Sequence, residues 1–131
     1  MEAAAEKLVS VSHIEQSEGL SFLLQHVASV SSSQIESLMP NIVRHLERSG
    51  YPQVVSLVVQ VLKAFFAKEP AATTAAFEKW QGCHRLIAAL GHKTPEVRIA
   101  CLTLLAQLSK VHEEKFFSSV QIFVLLFFDY Y

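Results

Sequence analysis

Residues 95–111 read PEVRIACLTLLAQLSKV, and the placement of their apolar side chains decides the fold class. Val97, Cys101, Leu104, Leu108 and Val111 recur at alternating spacings of four and three, with Ala100 and Leu105 widening the face they share. That is the period of an amphipathic α-helix, not the period of two that a half-buried strand shows. The helix has a clear start. Thr94 offers a side-chain oxygen to the orphan amides of the first turn, and Pro95 takes the first helical position, where its missing N–H costs nothing. Lys110 and His112 stand near its end, where the helix dipole favours positive charge.

The same pattern occurs earlier in the chain. Pro52-Gln53-Val54 lies 43 residues before Pro95-Glu96-Val97, and Val59, Leu62 and Phe65 correspond to Leu102, Leu105 and Leu108. Leu20, Leu23 and Val27 echo Val59, Leu62 and Phe66 at a separation of 39, which places the last helix of an incomplete unit there. Shorter helical segments fill the intervals. Ser33 with Glu36 has the form of a capping box opening residues 34–39. Pro40 breaks or kinks that segment, and a second one runs from about Pro40 to Arg48, before Gly50, which suits a left-handed cap. The next interval repeats the plan: Pro70 opens a segment through Trp80, Gly82 interrupts, residues 83–90 form a second helix and Gly91 closes it. The chain is therefore read as all-α, with an incomplete unit over 17–30, repeats over 31–68 and 69–112, and an apolar remnant or divergent tail over 113–131. A period of about 39–44 residues marks stacked helical repeats, and because one unit cannot bury its own apolar face, stacking supplies the core.

The segment GCHRLIAALGHKTPEVRIACLTLLAQL, residues 82–108, resembles an armadillo repeat, and Pro95, Val97, Arg98, Ala100, Leu105 and Leu108 also resemble the long helix of a HEAT repeat. A three-helix plan with breaks at Pro40 and Gly82 leans toward armadillo. The resemblance covers residues 31–111 and implies a right-handed α-solenoid, an armadillo-like or HEAT-like superhelix whose short array is a fragment or isoform of a longer one. It further implies that the long helices line a concave surface holding extended peptides or partner proteins, and that Arg98 ties adjacent units together. The asparagine and tryptophan ladders of the family's peptide grooves are missing. Trp80, the sole tryptophan, lies outside the long helices, and neither long helix contains an asparagine.

Bulk properties narrow the chemistry. With 51% hydrophobic and 18% charged residues the chain must bury much of its surface. Eleven basic and twelve acidic side chains give a net charge of -1, so no global field draws in phosphate backbones or anionic lipid. Cys83 and Cys101 have neither the number nor the spacing of a zinc site or disulfide framework, and read as small core thiols of a reducing, intracellular compartment, cytoplasmic and/or nuclear. Residues 1–11 lack the basic start and apolar core of a signal peptide. His13, His26, His45, His84, His92 and His112 are dispersed, and His84 next to Cys83 points about 100° away from it on a helix. The glycines stand singly, so no phosphate-cradling loop forms, and Cys101 lies on an apolar stripe where burial favours an inert thiol. The expectation is a non-enzyme with no catalytic residue, no cofactor, no metal and no small-molecule substrate.

After Lys115 the composition changes. Phe116 and Phe117 precede an unbroken apolar run over 122–128, IFVLLFF, and the chain closes on Asp129, Tyr130 and Tyr131. The run is shorter than the about 20 apolar residues a membrane-crossing helix needs. Three readings stand: the opening helix of a further repeat, an interfacial or partner-binding tail, or an ending where the reading frame or splice form departs from a longer protein.

The candidate binding residues are polar positions of the long helices: Gln53, Ser56, Gln60 and Lys63 on one, and Glu96, Thr103, Gln107 and Lys110 on the next. Gln60 and Thr103 occupy equivalent places. Regular stacking would align these stripes into one hydrogen-bonding surface suited to the backbone of an extended chain, although a merely solvated helix face gives the same pattern. The expected function is a protein–protein interaction scaffold or adaptor. A nucleic-acid-associated repeat using Arg44, His45 and Arg48, and a peripheral membrane protein held by residues 116–131, are the alternatives.

Overall fold

The computed structural model describes residues 2–48 and 51–111, and among these every regular element is helical. Helix α1 (Glu2–Leu8) is followed by α2 (His13–Gln25), a 3-10 turn at Val27–Ser29, α3 (Ser32–Arg48), α4 (Pro52–Lys68), α5 (Pro70–Lys79), α6 (Gly82–Ala89) and α7 (Pro95–Val111). The long helices lie side by side, α2 against α4 and α4 against α7. Behind them α1 packs on α2 and α3, and α3 packs on α5 and α6. Two helical layers thus share one elongated core. Gly50 and the apolar tail lie outside the described residues.

The core runs along α4. Val54, Val55, Val58, Val59, Val61, Leu62 and Phe65 are all buried, because α4 has α2 and α7 on its flanks and α3 and α5 against it. Burying each such side chain contributes about 1.5–3 kcal/mol. All three proline-led helices begin where their sequences indicate, at Pro52, Pro70 and Pro95. At the last, the carbonyl of Thr94 accepts the N–H groups of Val97 and Arg98, and the Thr94 amide donates to Nδ1 of His92 at 3.1 Å.

The expected break at Pro40 is absent: α3 continues through it as one helix. Proline there lacks an N–H and crowds the carbonyl one turn earlier, a cost of about 3 kcal/mol. Ile35, Leu38, Met39, Ile42, Val43 and Leu46 form one buried face spanning the proline, and keeping that face continuous outweighs the defect. The capping box also lies two residues earlier than expected. The Ser31 hydroxyl accepts from the Gln34 amide at 3.3 Å, while the Gln34 side chain accepts from the Ser31 amide at 2.9 Å. Three consecutive serines permit either register, and apolar packing selects between them. With Ser31 as cap, the flanking Val30 and Ile35 occupy the staple positions and both are fully buried. With Ser33 as cap those positions would be Ser32 and Ser37.

In the next unit the break occurs, but at Gln81, which adopts a left-handed conformation (φ 56°, ψ 40°) between α5 and α6. Gly82 serves a different need. A Cβ at that position would lie 2.3 Å from the ring of buried Phe77, so glycine lets α6 start against that ring. Helix α1, unforeseen in the sequence, is held on α2 by close approach at Gly19, where a Cβ would meet the Ala4 carbonyl and the Lys7 Cβ at 3.0 Å. A Lys7–Glu18 ion pair at 2.9 Å spans the same two helices.

Polar side chains fasten the corners between units. The ammonium of Lys68, at the end of α4, donates to the carbonyls of Val27 and Ala28 at 2.9 and 3.0 Å and also to that of Val30. All of its protons are thereby engaged with the turn that joins α2 to α3. Buried Thr73 donates to the Phe65 carbonyl at 3.0 Å, setting the sharp α4–α5 corner. Buried His45 on α3 lies 2.7 Å through Nε2 from the carbonyl of Leu8, the last residue of α1. Burial holds the His45 imidazole below its ordinary pKa against the opposing pull of the Leu8 hydrogen bond, and neighbouring Arg44 adds to the lowering. Neutral His45 therefore donates its Nε2 proton to Leu8.

Lys68→Met is expected to lower the free energy of unfolding by about 2 kcal/mol, since it strips charge-assisted hydrogen bonds from carbonyls that include the one on buried Val30. A shifted urea midpoint with unchanged slope checks this. His45 generates a pH dependence of defined sign. Its folded pKa lies below the unfolded value of about 6.5, so the unfolded chain binds the proton first. Its contribution is complete above about pH 6.5 and is lost as pH falls through the folded pKa. His45→Gln, which keeps an Nε2 donor but does not titrate, should flatten the decline in thermal midpoint between about pH 7 and 5.

Candidate partner-binding face

On α4, Gln53 and Gln60 are exposed and Ser56 and Lys63 half-buried. They follow one another at helical spacing, so they share one strip of the helix. On α7, Glu96, Thr103 and Gln107 are exposed. Lys110 lies within α7, and its side chain is outside the described residues. Because α4 and α7 are neighbours in the long-helix layer, the 43-residue register sets Gln53 opposite Glu96 and Gln60 opposite Thr103. Ser56 has Ile99 as its counterpart, and Lys63 has Ala106, so the two strips are matched only in part.

The 39-residue register carries the rows onto α2, which packs on the other flank of α4. Ser21, half-buried, is the counterpart of Gln60 and Thr103, giving a row of Ser21, Gln60 and Thr103 across three helices. Ser17 stands in the place of Ser56, and exposed Ile14 in the place of Gln53. The sequence reading stopped at α4 and missed this first column, although the offset of Leu20 and Leu23 from Val59 and Leu62 already contained it.

The chemistry of the face is that of neutral hydrogen bonding. Each glutamine amide offers a carbonyl acceptor and two N–H donors, the complement of a peptide backbone. Thr103 is partly committed: its hydroxyl donates to the Ile99 carbonyl at 2.8 Å, one turn back on its own helix, so toward a ligand it acts as an acceptor. Among the described side chains of the face, the one lysine, Lys63, and the one glutamate, Glu96, balance in sign. Arg98 donates to the His92 carbonyl at 3.1 Å, inside the loop of its own repeat.

Other sequence candidates separate. Of the basic group on α3, His45 is buried and engaged with Leu8, Arg44 is half-buried, and the side chain of Arg48 lies outside the described residues. Burial pushes the Cys83 thiol up to about 12, with Glu78 adding to it, and burial pushes Cys101 up to about 11. Both stay protonated at neutral pH and are poor nucleophiles. Among the described residues no group of three or more His, Cys, Asp or Glu converges as a metal site, and no helix is long and apolar enough to cross a membrane. A cleft between α3 and α5 is lined by Ser32, Ser33, Ala72, Ala75 and Ala76, with Glu36 and Lys79 paired at 3.7 Å. It lies in the layer opposite the polar rows.

Comparison with known proteins agrees with this architecture. No curated protein and no solved structure matches the chain. A family model does, described as the neurobeachin/BDCP, DUF4704 alpha solenoid region, and it matches residues 6–126. The match takes in the end of α1, all of α2, both later repeats and most of the apolar stretch beyond α7. With so much of its length inside that model, the chain belongs to the neurobeachin/BDCP DUF4704 alpha solenoid family.

Proposed function

We propose that this solenoid is a non-catalytic, intracellular scaffold that binds another protein across the exposed polar rows of α2, α4 and α7. The observation that carries the reading is the side-by-side packing of the three long helices, which converts isolated polar positions into the row Ser21, Gln60 and Thr103. A row recurring from helix to helix suits a ligand that itself repeats, and an extended polypeptide presents donors and acceptors at regular intervals. Gln53 and Gln107 extend the surface to either side, and Ile14 and Ile99 add apolar contacts within it. The high thiol pKa values of Cys83 and Cys101 and the balanced charge of the face favour binding over chemistry.

Each lost neutral hydrogen bond is worth about 0.5–1.5 kcal/mol. The double replacement Gln60→Ala with Thr103→Ala should therefore weaken a co-purified protein partner about tenfold or more. Ser37→Ala on α3, exposed in the opposite layer, should leave affinity unchanged. Titration of the isolated partner against the three proteins by calorimetry reads the result, and equal affinities would remove the polar rows from the binding surface.

A further inference from the structure

The capping position of the long helices changes character at α4. Ser12 caps α2 through its hydroxyl, which accepts from the Glu15 amide at 3.4 Å. The registers of 39 and 43 residues carry this position onto Tyr51 before α4 and Thr94 before α7. Tyr51 breaks the series. Its side chain makes no capping hydrogen bond, although serine, threonine, asparagine or aspartate there would stabilise the helix. Its ring instead stacks on that of His13 at the start of α2, with centroids 3.9 Å apart and planes within 12°, and it stays 47% exposed. Two residues on lies the first row of the polar face, Ile14, Gln53 and Glu96, all exposed. Ile14 is 61% exposed, and Val11, two residues before His13, is wholly so. An aromatic ring that displaces a cap, is held by a stack and remains open to solvent is placed for contact rather than for helix stability.

We propose that Tyr51, steadied by His13 and flanked by Ile14, is the specificity anchor of the polar rows, and that the segment it selects is a proline-rich polypeptide in the polyproline II conformation. This rests on the reading of those rows as the binding face. Three properties of such a segment fit the site. Packed helices stand about 8–10 Å apart, and polyproline II repeats every three residues, a rise of about 9.3 Å, so equivalent ligand positions meet α2, α4 and α7 in turn. A β-strand repeats on one face at about 6.6–6.8 Å and falls out of step. Prolines lack an N–H and the conformation has no internal hydrogen bonds, so the segment offers carbonyl acceptors. The exposed side-chain amides of Gln53 and Gln60 supply the donors. Uncharged pyrrolidine rings, finally, dock on aromatic surfaces, which matches the Tyr51 ring and a face on which Lys63 and Glu96 balance. Hydrogen bonds to a backbone carry little sequence preference, so the choice of ligand falls to Tyr51.

Fluorescence anisotropy with a labelled decaproline peptide and the full chain tests this, with a glycine–serine peptide of equal length as the flexible reference. Decaproline should bind about tenfold or more tighter than the reference, because its conformation is already set. Tyr51→Ser should weaken it about tenfold or more. That substitution exchanges a stack for a cap, so the thermal midpoint should move by less than about 4 °C; a Tyr51 that served only the fold would instead lower the midpoint and leave affinity untouched. Trp80→Ser removes an exposed aromatic at the end of α5, in the opposite layer, and should leave affinity at the wild-type value. Should Tyr51→Ser not fold, Tyr51→Leu takes its place with the same expected loss. Failure of decaproline to bind, or equal affinity in wild type and the folded Tyr51 variant, would overturn the proposal. If in that event Gln60→Ala with Thr103→Ala still weakens the co-purified protein partner, the polar rows stand and only the ligand class and its anchor fall.

Discussion

Helix α4 depends on its neighbours on three sides. Its buried residues, Val54, Val55, Val58, Val59, Val61, Leu62 and Phe65, span an arc of about 160° of the helix, wider than the stripe of an ordinary amphipathic helix, and exposed Gln53 and Gln60 lie on the opposite side. A helix of this kind is stable only when packed on several sides. α2 and α7 cover its flanks, and α3 and α5 complete its surroundings. The two-layer stack follows from that requirement, and so does the quasi-one-dimensional core, since each long helix needs the next.

Hydrophobic stacking alone does not fix how units are joined. The corners are set by polar groups that serve backbone carbonyls left over at helix ends. Lys68 reaches the turn after α2, Thr73 reaches the end of α4, and His45 reaches the end of α1. Every one of these contacts joins residues of different segments of the fold. Their common logic is that a carbonyl at a helix end, once shielded from water, must find a donor. A long-range donor satisfies it while fixing the angle between elements.

The parts of the fold legible in the sequence are those governed by local rules with no competitor. Pro52 and Pro95 start helices because proline fits the first helical position in any context, and the shared spacing of Val59, Leu62 and Phe65 with Leu102, Leu105 and Leu108 is visible without structure. The errors arise where two local signals compete and a distant contact decides. Pro40 signals a break, but the buried face from Ile35 to Leu46 is worth more when continuous. Serines 31 and 33 both have a capping partner, and the burial of Val30 and Ile35 chooses Ser31. Lys68 offered only a basic residue in a last turn, a pattern common on surfaces, while its carbonyl partners lie some forty positions away. At the candidate face, Gln53, Gln60, Glu96 and Thr103 were readable as helix positions. Their continuation onto Ser17 and Ser21 required knowing that α2 is the neighbour of α4.

Repetition gives the array two surfaces with opposite demands. Polar positions in register along the long helices, such as half-buried Ser21 and exposed Gln60 and Thr103, line up across units, so the polar row lengthens with each repeat. Positions on the flanks, such as Leu20 and Val59, are buried where the next long helix packs, whereas their counterpart Leu102 on α7 is exposed. Flank and polar row are thus set by the same register at positions one residue apart: Leu102 is the counterpart of Leu20 and Val59, and Thr103 the counterpart of Ser21 and Gln60.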